Sequence, residues 1–163
     1  SLIRPDTTIF LDSGSTATMT ARLFPDQSNL IYTTGLSCAT ELANLSNPTV
    51  MIPGGVLNRY SQSVYGISAV RELERVNFTQ TFLGVTGYSS RTGFTCGSND
   101  EAILKQTAIE QAEQAIVLMD SSKIGVWSTF GICGLEKIHV VVSDGNLPEE
   151  FLGECEKAGV IVL

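Results

Sequence analysis

No two cysteines of this chain stand at CxxC spacing, and a single histidine has no second His or Cys at ligand distance along the sequence. Neither a zinc site nor a dithiol redox motif is therefore indicated. No apolar run approaches the roughly 20 residues that span a bilayer, and no segment resembles a signal peptide. There is no Gly-Lys-Ser/Thr of a P-loop and no GxGxxG, so nucleotide binding through either route has no support. The 10 Lys and Arg are scattered against 17 Asp and Glu, giving a net charge of −7. This argues against nucleic-acid binding by this piece itself, which needs clustered cations. An initiator Met is also missing, and the first strand starts almost at once, so the expectation is that further chain precedes Ser1.

What is present suits one domain. The chain has 163 residues, 43% of them hydrophobic and 17% charged, within the usual range for a single core. Cys38, Cys96, Cys133 and Cys155 each sit in or beside an apolar segment or a glycine turn, and are read as buried free thiols of a cytoplasmic protein. His139 lies within Ile138–Val142 and is read as a strand residue.

The chain is organised around residues 7–18. Thr7–Leu11 is a β-branched and aromatic run that reads as a buried strand. It breaks into Asp12-Ser13-Gly14-Ser15-Thr16, after which Ala17, Ala21 and Phe24 recur at helical spacing. A strand entering a helix through a small hydroxyl-rich turn makes an anion site. The first helical amides lack internal acceptors, the helix dipole adds positive charge, and Gly14 lets a ligand approach the backbone. A second reading stands beside this one: Asp12, Ser13, Ser15 and Thr16 are all good N-cap residues.

Further strands are read at Asn29–Thr33, Thr49–Ile52, Phe78–Val85, Gln114–Met119, Ile138–Val142 and Val160–Leu163. Helices are read at Leu36–Leu45, Val64–Arg75 (with Val64, Ile67, Val70 and Leu73 as its stripe), from Asn99 onward, and at Pro148–Lys157. Val56–Ser63 reads as irregular, and Tyr88–Ser98 as a long polar loop of the kind that carries function. Strands that are near-continuous apolar runs alternating with helices predict an α/β domain, with a mostly parallel sheet covered on both faces. The turns at Asp12–Thr16, Thr34-Gly35, Gly54-Gly55, Gly84–Gly87 and Asp120–Gly125 all follow strands at the same end. Ligands of such sheets bind there.

These turns, in this order, with Ala102-Ile103-Leu104-Lys105 and Asp120-Ser121-Ser122-Lys123-Ile124-Gly125, resemble the C-terminal sensor domain of DeoR-family bacterial transcriptional repressors over nearly the whole chain. The resemblance implies a fold similar to ribose-5-phosphate isomerase, glucosamine-6-phosphate deaminase and the CoA-transferase-like proteins. It implies a phosphorylated sugar or related metabolite as effector, no cofactor, no metal, and a homo-oligomer, dimer or tetramer. DNA would be bound only through a preceding winged helix-turn-helix. Carried over by residue, Asp12, Ser13, Gly14, Ser15 and Thr16 would hold the effector phosphate or its near hydroxyls, and Lys123 would reach an anionic or hydroxyl group. Thr34, Gly35, Gly54, Gly55, Gly84, Thr86 and Gly87 complete the expected pocket. Glu101 and Lys105 match polar positions on a bordering helix, but their spacing equally suits an i, i+4 ion pair.

Two departures stand out: Thr33-Thr34-Gly35 replaces the usual Thr-Asn-Ser, and Thr86 replaces an Asp. The loop Val85-Thr86-Gly87-Tyr88-Ser89-Ser90 has no carboxylate, whereas isomerases and deaminases of this fold carry acidic residues there. A sensor is therefore expected, with a sugar-phosphate isomerase or deaminase as the alternative. Effector binding is expected to order Tyr88–Ser98 and to bias how protomers pack.

Overall fold

The computed structural model describes residues 2–163. Twelve strands and five α-helices are assigned among them. In chain order they are β1 (Thr8–Leu11), α1 (Ser15–Arg22), β2 (Leu30–Thr33), α2 (Leu36–Leu42), β3 (Thr49–Met51), β4 (Val56–Asn58), β5 (Ser63–Tyr65), α3 (Ile67–Leu73) and β6 (Phe78–Gly84). Then follow β7 (Gly87–Ser89), β8 (Gly93–Cys96), α4 (Asn99–Glu110), β9 (Ala112–Leu118), β10 (Phe130–Cys133), β11 (Val140–Val142), α5 (Glu149–Ala158) and β12 (Ile161–Val162). Seven strands form one sheet in the order β12-β11-β9-β6-β1-β2-β3. Every pairing in it is parallel.

Alternation along the strands sorts side chains between the two faces. Ile9 and Leu11 pack with Ala17 and Ala21 of α1 and with Cys38 and Leu42 of α2. Phe10, between them, points the other way, into a core shared with α3, α4 and α5. Covered on both sides, β1 is buried at Ile9, Phe10 and Leu11, which is why it reads as an unbroken apolar run. The parallel sheet with helices on both faces is thus as expected.

Two segments differ from the sequence expectation. Val56–Ser63 is not irregular: β4 pairs with β5 as an antiparallel hairpin. Val64 belongs to β5, so α3 begins only at Ile67, which is exposed instead of lying on a buried stripe. Tyr88–Ser98 is not a loop either. It contains β8 and all of β7 but Gly87, and the two join β10 in a three-stranded antiparallel sheet. Strands of three or four residues are too short to show a period. The partner that stabilises β8, Phe130 against Cys96, lies more than thirty residues downstream. His139 is outside β11 and exposed, and its Nδ1 accepts the Ala115 N–H at 3.0 Å.

The strand order places β2 on one side of β1 and β6 on the other. The chain leaves β1 toward α1 on one face and leaves β6 toward α4 on the opposite face. A crevice therefore opens beyond the carboxyl ends of β1 and β6.

Candidate functional site

That crevice is a cavity of about 200 Å³. Ser13, Gly14, Ser15 and Thr16 line it from the end of β1, and Gly84, Val85 and Thr86 from the end of β6. Glu101 and Lys105 reach it from α4, Lys123 from the loop after β9, and Ser61 and Cys96 from the two small sheets.

The turn after β1 is built to leave its amides free. Gly14 is the N-cap of α1 with φ 100° and ψ 177°, a conformation essentially restricted to glycine. No side chain caps this helix. The capping role open to Asp12, Ser13, Ser15 and Thr16 is therefore not taken up. The first intrahelical bond is Thr18 N–H to the Gly14 carbonyl at 2.9 Å, so the amides before it have no acceptor within the helix. Gly14, Ser15 and Thr16 are exposed, at the mouth of the cavity. Helix α4 is finished differently: Ser98 Oγ accepts the Glu101 N–H.

Asp12 points inward. It is only 4% exposed, and its Oδ2 accepts the Gly84 N–H at 3.0 Å and forms an ion pair with Lys105 Nζ. Lys105 is 5% exposed. Burial alone would lower its pKa, but the facing Asp12 carboxylate overrides that and holds it above the ordinary lysine value. The i, i+4 reading of Glu101 with Lys105 is thus corrected: the lysine's ion-pair partner is Asp12, from the turn after β1. Glu101 is in no ion pair among the described residues.

Lys123 is half-buried and likewise in no ion pair among the described residues. Its loop is pinned from three sides. Asp120 accepts the Ser122 N–H at 2.9 Å, the Tyr88 carbonyl accepts the Gly125 N–H at 2.8 Å, and Asp144 accepts the Ser121 N–H at 3.1 Å and its hydroxyl at 3.0 Å. The anchoring by Tyr88 makes β7 part of the site's frame.

The other expected residues are placed unevenly. Thr34 borders a small cleft of about 20 Å³ beside Asp12 and Glu101, and Gly35 borders a separate cavity between α1 and α2. Gly35 is needed there, since a Cβ would sit 3.0 Å from the Ser13 Cα. Gly54 and Gly55 are not brought to the main cavity. The Gly54 N–H donates to Glu72 Oε2 at 2.9 Å, and Gly55 turns the chain into β4 against the Tyr65 carbonyl. Gly87 is also outside the lining, packed against the Val126 carbonyl. A glycine pair after a strand has the same sequence signature whether it admits a ligand or another backbone. Ser61 and Cys96 were missed because both lie in segments whose strands have no readable period. Burial pushes the Cys96 thiol up, so it stays a neutral wall of the cavity. Among the described residues no group of three or more His, Cys, Asp or Glu could hold a metal ion, and no helix is long and apolar enough to cross a membrane.

The chain is similar to a family model, to sequence relatives and to solved structures. A family model described as the DeoR C terminal sensor domain matches residues 1–145. A protein of Escherichia coli O157:H7, named provisionally as an aga operon transcriptional repressor, is 35% identical over 99% of this chain and 61% of its own length. The HTH-type transcriptional regulator GlpR of Haloferax volcanii is 31% identical over 95% of this chain and 61% of its length. The chain therefore spans about three fifths of these relatives. Among solved structures, ribose 5-phosphate isomerase A of Methanocaldococcus jannaschii superposes with a TM-score of 0.52 at 16% identity, over 76% of this chain and 48% of that one. That likeness is one of fold.

Proposed function

Because this chain belongs to the DeoR C-terminal sensor domain family, we propose that its cavity binds a phosphorylated sugar as the effector of a transcriptional regulator. The carrying observation is the uncapped start of α1, opening through Gly14 into a cavity that also holds Lys123. The phosphate sits against the Ser15 and Thr16 amides and hydroxyls, where the helix dipole favours an anion. Lys123 supplies the compensating positive charge. Asp12 keeps its place in the site by orienting Lys105 and Gly84, not by touching phosphate, because a buried carboxylate would repel it. DNA binding belongs to the part of such regulators that this chain does not span, and the working unit is a homo-oligomer.

Turnover has little to work with here. Isomerisation of a sugar phosphate needs a carboxylate base beside the reacting C–H and a second group at the carbonyl. The loop after β6 carries no carboxylate, and Asp12 is engaged by Lys105 and Gly84. Among the described residues Glu101 is then the one free acid in the lining.

The test is a thermal-shift screen of the chain against sugar phosphates, with unphosphorylated sugars as controls. A ligand at about 100 times its dissociation constant adds about 2.7 kcal/mol, or roughly 5–11 °C in Tm for a chain of this size. A shift by phosphorylated compounds alone supports the reading. No shift with any of them refutes it, and formation of product from ribose 5-phosphate or glucosamine 6-phosphate would make the site an enzyme's.

A further inference from the structure

The wall of the cavity opposite α1 belongs to α4, and its charges are divided unusually. Glu101 and Lys105 lie one helical turn apart on one face, the spacing at which they would ordinarily neutralise each other. Asp12 takes the lysine instead. A lysine ammonium has three N–H donors, and among the described residues Asp12 is the one acceptor on that of Lys105. Lys105 is 5% exposed and lines the cavity wall. Beside it the Glu101 carboxylate accepts no hydrogen bond from a protein group and has no cation partner among the described residues. The cavity thus combines the free amides of α1 and the Lys123 side chain with a fixed donor next to an acidic acceptor on α4.

Resting on the sugar-phosphate reading, we infer that Glu101 and Lys105 form a clamp for neutral hydroxyls at the non-phosphate end of the ligand, and that Glu101 rejects ligands with a second acidic group. A hydroxyl both donates and accepts. It can give its proton to Glu101 while it, or its neighbour on the next carbon, accepts from Lys105. A carboxylate or second phosphate can accept from Lys105 but has nothing to donate to Glu101, and it places a like charge beside the half-buried Glu101 carboxylate. The selected class is a sugar or polyol monophosphate with free adjacent hydroxyls, and the rejected class is sugar acid phosphates and bisphosphates.

The experiment measures dissociation constants by calorimetry for ribose 5-phosphate and glucose 6-phosphate against their matched acids, 5-phosphoribonate and 6-phosphogluconate. The unaltered chain is expected to prefer the sugar of each pair by about tenfold or more, the scale of one charge-assisted hydrogen bond. In Glu101→Gln, an isosteric change, the ratio should shrink to about threefold or less, mainly because the acids bind more tightly. An unliganded melt of the variant checks that its fold is intact, and the ratio in the unaltered chain needs no variant at all. Equal or better binding of the acids by the unaltered chain overturns the inference, as does a ratio that Glu101→Gln leaves unchanged. In both cases phosphate recognition itself survives. Where another sugar phosphate of the thermal-shift panel binds better, it and its matched acid replace these pairs, and if no sugar phosphate of the panel binds, the sugar-phosphate reading fails and this inference with it.

Discussion

Replacing Lys105 by Met tests the pair that joins the turn after β1 to α4 at the floor of the site. Both side chains are buried, with 7% of Lys105 and 5% of Asp12 exposed. Methionine keeps most of the aliphatic stem, so little packing is lost. What remains is a buried Asp12 carboxylate held only by the Gly84 N–H. Removing one partner of such a pair costs about 3–5 kcal/mol, a fall of roughly 6–20 °C in Tm for this length. Asp12→Asn leaves the opposite fault, an unpaired ammonium, although its amide oxygen can still accept from Gly84. The double variant Asp12→Asn/Lys105→Met buries no charge and should recover most of either loss. Urea unfolding of all four proteins gives the coupling energy directly. The pH dependence gives a second check. The pKa of Lys105 is raised on folding, so its contribution is complete below the ordinary value of 10.5 and lost as pH climbs above it. The gap between parent and Lys105→Met should therefore be constant through neutral pH and close in strong alkali. Single losses below about 1 kcal/mol, or a double variant additive to within about 0.5 kcal/mol, would show that the pair is not a buried structural contact.

Gly14→Ala meets no atom within 4 Å, so its whole effect is backbone strain at φ 100°. About 1–3 kcal/mol should be lost in thermal unfolding, along with phosphate-dependent stabilisation; an unchanged melt would refute the strained cap. Thr81 Oγ1 is buried without a hydrogen-bond partner, so Thr81→Val should leave Tm unchanged or raise it by up to a few degrees. A loss of more than about 1 kcal/mol would reveal a partner for that hydroxyl. Tyr88 donates to Glu154 of α5, and burial, reinforced by that carboxylate, pushes its phenol above the ordinary 10.0. Tyr88→Phe should cost about 1–2 kcal/mol at neutral pH and remove a contribution that the parent loses as pH rises past 10. Urea unfolding at pH 7 and above pH 10 would show this, and parallel pH curves would count against it.

How far the site was legible depended on how local its causes are. The turn Asp12–Thr16 could be read because a strand, a glycine and a helix follow one another within twelve residues. Asp120–Lys123 could be read for the same reason. Glu101 and Lys105 were found as positions but not as partners, since the i, i+4 rule sees only the helix they share. Gly54, Gly55 and Gly87 resembled ligand turns because glycine marks any close backbone approach, whichever group approaches. The segments 56–63 and 87–96 showed no period, because strands of three or four residues cannot display one, and Val64 of β5 fell at helical spacing from Ile67 without belonging to the helix.

By itself the sequence determined the parallel α/β core and the end of the sheet at which its turns gather. Unbroken apolar strands must be covered on both faces, and alternation with helices forces them to run the same way. Only the tertiary structure decided that Asp12 takes Lys105 away from Glu101, that α1 stays uncapped, and that β8 finds β10. Each of these depends on which groups long-range packing brings within hydrogen-bond reach once water is excluded, and no pattern within a single segment records that choice.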